Sequence, residues 1–174
     1  MKFKPLISII LFIALSACKS NQSSVNEKHE TGFSISGCPE GGNCTFEEMT
    51  DSALVLKTDG IGKLYPNVQK GTKTVLKFEY LRDEDPRIAD DGYREVIFIE
   101  FDPSIETLQL QDQKLKQAKA LFGRLCFCGN QAGYFLVEKG NLNVSTNNGK
   151  TVNYSLDFEI SNLPQQIRSF SITN

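Results

Sequence analysis

Strict two-residue alternation restricts the fold of this chain more than any other feature. Val152, Tyr154, Leu156, Phe158 and Ile160 put an apolar side chain at every second position, with Asn153, Ser155, Asp157 and Glu159 between them. Successive side chains of a strand point to opposite faces, so this pattern describes a half-buried β-strand. It recurs in shorter form. Phe33 and Ile35 alternate with Ser, Leu76, Phe78 and Tyr80 alternate with Lys77 and Glu79, and Phe170 and Ile172 make a short last strand. Ala53-Leu54-Val55-Leu56-Lys57 is an apolar run that stops at the turn signal Asp59-Gly60. Val96-Ile97-Phe98-Ile99-Glu100-Phe101 is nearly continuous, as in a central strand buried on both faces, and Pro103 ends it. Tyr134–Val137 and Leu142–Val144 flank Lys139-Gly140 and read as a hairpin, and Asn147-Asn148-Gly149 reads as a second turn.

One segment carries a helical period instead. Leu115, Ala118, Leu121, Phe122 and Leu125 recur at helical spacing, with Asp112 placed to cap the start and Gly123 to limit the end. The expected fold is therefore all-β, a mainly antiparallel sandwich or partly open barrel of eight to ten strands, with one short amphipathic helix near 112–123 lying on the core.

Composition narrows the function classes. A chain of 174 residues with a formal net charge of −2 lacks the basic face that a nucleic-acid binder needs. The single His, His29, lies in a polar stretch, which removes Ser-His-Asp and Cys-His chemistry and multi-His metal sites. The chain shows no Gly-rich phosphate loop after a strand, no Gly-x-Ser-x-Gly and no paired carboxylates placed to converge. The expectation is a protein that is not an enzyme and carries no cofactor.

The N-terminus reads as an address. Lys2 and Lys4 precede the apolar run Leu6–Leu15, which is too short to span a bilayer that needs roughly 20 residues. Leu15-Ser16-Ala17-Cys18 follows, and resembles the lipobox of bacterial lipoproteins. That resemblance implies cleavage after Ala17, acylation of Cys18, and anchoring of the mature chain in a lipid bilayer by several acyl chains. Residues 1–17 are then a cleaved signal peptide, 18–32 the lipidated Cys and a flexible tether containing His29, and 33–174 a single β-rich domain. Loss of Lys2 and Lys4 leaves 17 basic against 21 acidic side chains, a net of −4. Lys19 rather than Asp follows the Cys, and no acidic run comes after it. By analogy with lipoprotein sorting, this points to the outer membrane, facing the periplasm. The body also resembles small uncharacterised β-rich lipoproteins of Bacteroidota, through its Phe-Gly-Arg-Leu-Cys-Phe-Cys stretch before Gly-Tyr-Phe-Leu-Val-Glu-Lys-Gly; this second resemblance implies no activity.

Four further cysteines, Cys38, Cys44, Cys126 and Cys128, are disulfide candidates in an exported protein. Residues two apart on an extended strand sit some 6.5–7 Å apart, so a Cys126–Cys128 bond needs a tight turn. Cross-pairing the Cys38–Cys44 loop with Cys126-Phe127-Cys128 avoids that turn and closes longer loops, worth roughly 4 kcal/mol each in chain entropy, so it is the expected connectivity, with local pairing as the alternative. A thiolate metal site on Cys38, Cys44, Cys126 and Cys128 is a further reading, although neither spacing is the common one for zinc. The five carboxylates of 83–92 form an oxygen cluster of the kind calcium takes, without the EF-hand order. Asp51-Ser52-Ala53 resembles an O-glycosylation site of exported Bacteroidota proteins.

The expected function is that of an envelope lipoprotein with a non-catalytic binding or structural role toward a protein or glycan. The alternatives are an inhibitor of a periplasmic hydrolase, such as a lysozyme or protease, and a thiolate metal-handling protein.

Overall fold

The computed structural model describes residues 32–174; Cys18, His29, the proposed signal and all of the proposed tether but Gly32 lie outside the described residues. Thr31–Asn174 cluster as one unit. Eleven strands run in order: β1 (Ser34–Ser36), β2 (Gly42–Thr58), β3 (Leu64–Lys70), β4 (Lys73–Arg82), β5 (Tyr93–Phe101), β6 (Thr107–Gln111), β7 (Leu121–Cys126), β8 (Gly133–Leu136), β9 (Gly140–Asn147), β10 (Lys150–Phe158) and β11 (Ser169–Thr173). They form a five-stranded sheet, β1-β11-β10-β9-β6, and a six-stranded sheet, β3-β2-β4-β5-β7-β8, with antiparallel pairing throughout. The all-β expectation holds, with one strand more than the upper expectation. Among the described residues, no helix is long and apolar enough to cross a membrane.

Register explains the core. Phe46, Phe78, Ile97 and Phe122 stand opposite one another across β2, β4, β5 and β7, so they form one apolar row on one face. That row packs on Tyr154, Leu156, Phe158, Phe170 and Ile172 of the other sheet. Phe78 stacks on Phe170 with ring centroids 3.9 Å apart. The other face of the six-stranded sheet is also covered, by Leu54, Val75, Val96, Phe98 and Leu121. This second cluster exists because the sheet curls until its edge strands β3 and β8 touch. The curl starts at a bulge in β2, where Thr50 and Asp51 have no partner between the pairs Met49–Val75 and Ser52–Lys73, and Asp51 adopts φ 49°. Leu54 lies beyond the last β2–β4 pair. Its N–H donates to a Glu100 carboxylate oxygen at 2.6 Å, and its carbonyl accepts from Lys119 Nζ at 2.7 Å. Lys119 and Glu100 pair at 2.7 Å, bridging the gap that the curl opens.

Three sequence readings are corrected. The helix expected at 112–123 is a single 3₁₀ segment, Asp112–Ala118, and Leu121–Cys126 is strand β7. Leu115 and Ala118 do bury in the core, but Lys119 turns left-handed (φ 47°) and ends the segment. In β7, Leu121 and Phe122 bury on opposite faces, and adjacent apolar residues of that kind, with Leu125 after them, imitate a helical stripe. Asp112 does not cap the segment; its carboxylate accepts from the Gly140 N–H at 3.0 Å. The Lys139-Gly140 hairpin is also absent, because β8 belongs to one sheet and β9 to the other. Gly140 sits at the crossing with φ 147°, where a Cβ would meet the Asp157 carbonyl at 2.1 Å. Finally, a register shift between Thr151 and Asn153 buries Thr151 and exposes Val152, so the inward alternation begins at Tyr154.

Candidate functional site

The polar residues converge at one end of the six-stranded sheet. Cys44 stands opposite Tyr80, Tyr80 opposite Glu95, and Glu95 opposite Arg124. This row lies two residues beyond Phe46, Phe78, Ile97 and Phe122, on the same face, so the apolar core gives way there to a polar row. One step further out, Tyr93 stands opposite Cys126.

Glu95 is wholly buried. Its carboxylate accepts the Tyr93 hydroxyl at 2.5 Å and the N–H groups of Gln166 and Ile167, both at 2.8 Å. A buried carboxylate is tolerated when donors of this kind replace its water. Tyr93 Oη in turn accepts from Arg124 Nε at 3.2 Å. Burial, reinforced by the bond to Glu95, pushes the Tyr93 phenol up to about 12, while Arg124 opposes the shift. The guanidinium carbons of Arg82 and Arg124 lie 5.1 Å and 5.2 Å from the centre of the Tyr93 ring, within cation–π range. Arg124 is 8% exposed. Its Nη1 donates to the Gln131 carbonyl at 3.4 Å, to Gln131 Oε1 at 3.3 Å and to Cys128 Sγ at 3.0 Å. Among the described residues, no carboxylate pairs with Arg124 directly; Glu95 reaches it only through the Tyr93 hydroxyl.

All four disulfide candidates are bonded, but locally: Cys38 with Cys44 and Cys126 with Cys128, at Cα–Cα distances of 5.8 Å and 5.3 Å. This overturns the expected cross-pairing, and sheet order gives the reason. Cys44 on β2 and Cys126 on β7 have β4 and β5 between them, a separation of roughly 14 Å at about 4.8 Å per strand, and a disulfide spans only about 4.4–6.8 Å between Cα atoms. The tight turn that local pairing demands is present, since β7 ends at Cys126 and the chain bends through Phe127 into the 3₁₀ turn Gly129–Gln131. With all four sulfurs bonded in pairs, they offer no thiolates for the metal site considered above. Tyr80 steadies the Cys38–Cys44 loop, its hydroxyl reaching the carbonyls of Glu40 at 3.3 Å and Gly41 at 3.4 Å. Asp83 N–H donates to the Gly41 carbonyl at 2.9 Å.

The acidic 83–92 loop caps the same end, and arginines hold two of its carboxylates. Arg82 pairs with Asp91, and Arg87 bonds Asp85 through two nitrogens, which lowers the Asp85 pKa. Among the described residues, no group of three His, Cys, Asp or Glu side chains comes together as a metal site. Ser52 sits beside the β2 bulge and donates its hydroxyl to the Thr50 carbonyl at 2.9 Å.

A groove of about 410 Å³ opens at this end, bordered by Leu81, Asp90, Tyr93, Arg94, Cys126 and Phe127. Phe127 is 89% exposed and Leu81 48%. The sequence reading found the cysteines here and missed Tyr93, Glu95, Arg124 and Gln131. The available signal was Glu95 itself, a carboxylate directly before the buried apolar run Val96–Ile99. No family model matches this chain, and neither do any curated proteins or solved structures.

Proposed function

We propose that this chain is a lipid-anchored envelope protein, held at the outer membrane on its periplasmic side through Cys18, whose β-domain binds a protein partner without catalysis. The anchor rests on Leu15-Ser16-Ala17-Cys18 and the cationic, apolar stretch before it. One observation supports the binding role above the rest. Phe127, almost fully exposed, is the single residue enclosed by the Cys126–Cys128 bond. The ring fixes its backbone before any partner arrives, so an aromatic anchor is presented at low ordering cost. Leu81 supplies apolar area beside it, and Asp90 and Arg94 give the groove charges of both signs at its rim. The test is capture from detergent-solubilised envelope by the full-length protein and by Phe127→Ala. The reading predicts a protein recovered by the parent and lost at least tenfold by the variant, about 1.4 kcal/mol. Equal recovery by both, or binding to a glycan array with no protein recovered, contradicts it.

A hydrolase inhibitor is the second reading, supported by the Cys38–Cys44 loop, which its own disulfide and the Tyr80 and Asp83 hydrogen bonds hold in one shape. Preorganised loops of this kind suit an enzyme cleft. Lysozyme and common serine proteases that stay fully active at saturating protein would remove it.

A further inference from the structure

We propose that Cys126–Cys128 is a reactive disulfide that exchanges with dithiols of envelope proteins, with Arg124 as the positioning residue that receives the leaving Cys128 thiolate. Two features separate this bond from Cys38–Cys44. A guanidinium that is 8% exposed holds its Nη1 3.0 Å from Cys128 Sγ, and no carboxylate among the described residues pairs with that guanidinium directly. The partner sulfur belongs to Cys126, which borders the open groove beside Leu81 and Phe127. No hydrogen-bond donor reaches a sulfur of Cys38–Cys44 among the described residues.

These placements give the two sulfurs different roles. A dithiol partner attacks with one thiolate at Cys126 Sγ, the sulfur of the residue that borders the groove. The Cys126–Cys128 bond breaks, a mixed disulfide forms on Cys126, and Cys128 leaves as a thiolate that Arg124 already faces. The partner's second thiolate then attacks its own sulfur in the mixed disulfide. Cys126 departs as a thiolate and takes a proton from water. Two electrons pass from the partner dithiol to this chain, which ends as a dithiol while the partner ends as a disulfide. A cation fixed beside one thiolate stabilises the reduced form and makes that sulfur the better leaving group. The other charges facing the pair are Arg82 and Glu95, through Tyr93, and Arg94 and Asp90 at the groove.

The probe is glutathione, so the result does not depend on whether Phe127 captures a partner. The membrane-extracted full-length protein is equilibrated across glutathione redox buffers and its thiols are alkylated. Peptide masses then give the state of each pair. The expected result is that Cys126–Cys128 becomes a dithiol at a less reducing poise than Cys38–Cys44, by at least tenfold in the exchange constant, about 30 mV for a two-electron couple. Arg124→Gln removes that gap and moves the pH profile of Cys128 alkylation up toward about 8.5, and Arg124→Lys restores part of both. Should Arg124→Gln not fold, Gln131→Ala tests the same contact. It removes the side-chain acceptor that shares Nη1 and moves the midpoint further from that of Cys38–Cys44. Equal midpoints for the two pairs overturn the proposal. So does a midpoint and alkylation profile that the Arg124 variants, or Gln131→Ala where they do not fold, leave in place.

Discussion

Tyr93 joins a buried carboxylate to a buried guanidinium through one hydroxyl: it donates to Glu95 and accepts from Arg124. The hydroxyl must stay protonated to do both. Burial raises its pKa from 10.0 to about 12, so the folded state favours the neutral phenol. The stability it contributes is complete below pH 10 and is lost as pH rises through about 12. Tyr93→Phe removes the hydroxyl and leaves Glu95 one donor short, at a cost of about 1–3 kcal/mol near neutral pH. The difference between the parent and Tyr93→Phe in urea unfolding is therefore expected to shrink between pH 8 and pH 11.5. A difference that stays constant across that range contradicts this role. Tyr93 and Glu95 are two apart on β5, but Arg124 joins them only through the β5–β7 register, and the Gln166 and Ile167 N–H groups come from far along the chain. That is why the cysteines were legible as site residues and the network behind them was not.

Strand β7 shows at the scale of an element what alternation can and cannot reveal. Half-buried strands such as Leu76–Tyr80 and Tyr154–Phe158 are legible because one face meets water or charge and the other meets the core. Residues 121–124 are all buried, so β7 loses its period and its apolar residues read as a helical stripe. Gly123, read as a helix stop, has a different task. The Tyr134 ring of β8 lies over it, and a Cβ there would meet ring atoms at 2.5 Å and 2.7 Å. Gly123→Ala forces that ring away and is expected to destabilise the protein by about 1–3 kcal/mol, read as a lower thermal midpoint. An unchanged midpoint contradicts the packing described. The Lys139-Gly140 hairpin failed for a related reason. A turn signal marks a change of direction, and here the chain changes sheets as well.

On the scale of the whole molecule, the two-sheet arrangement followed from patterning, while the curl of the six-stranded sheet did not. The curl depends on a bulge at Asp51 and on the Glu100–Lys119 bridge, and neither has a sequence period. The curl and the register place both disulfides, the arginine-held acidic loop and Phe127 at one end. Local pairing has an energetic consequence. Loops this short contribute roughly 2 kcal/mol each in chain entropy, less than the roughly 4 kcal/mol of long crossed loops, so the disulfides shape the end of the sheet more than they stabilise the chain. The most direct test is a mass spectrum of the membrane-extracted protein, intact and after digestion, without reduction and with it. The expected spectrum shows a chain beginning at Cys18 with acyl mass on that residue. On reduction it gains the mass change of two disulfides, and unreduced peptides link Cys38 to Cys44 and Cys126 to Cys128. An unacylated chain that retains residues 1–17 contradicts the anchor, and unreduced peptides that join Cys44 to Cys126 contradict the fold of this end.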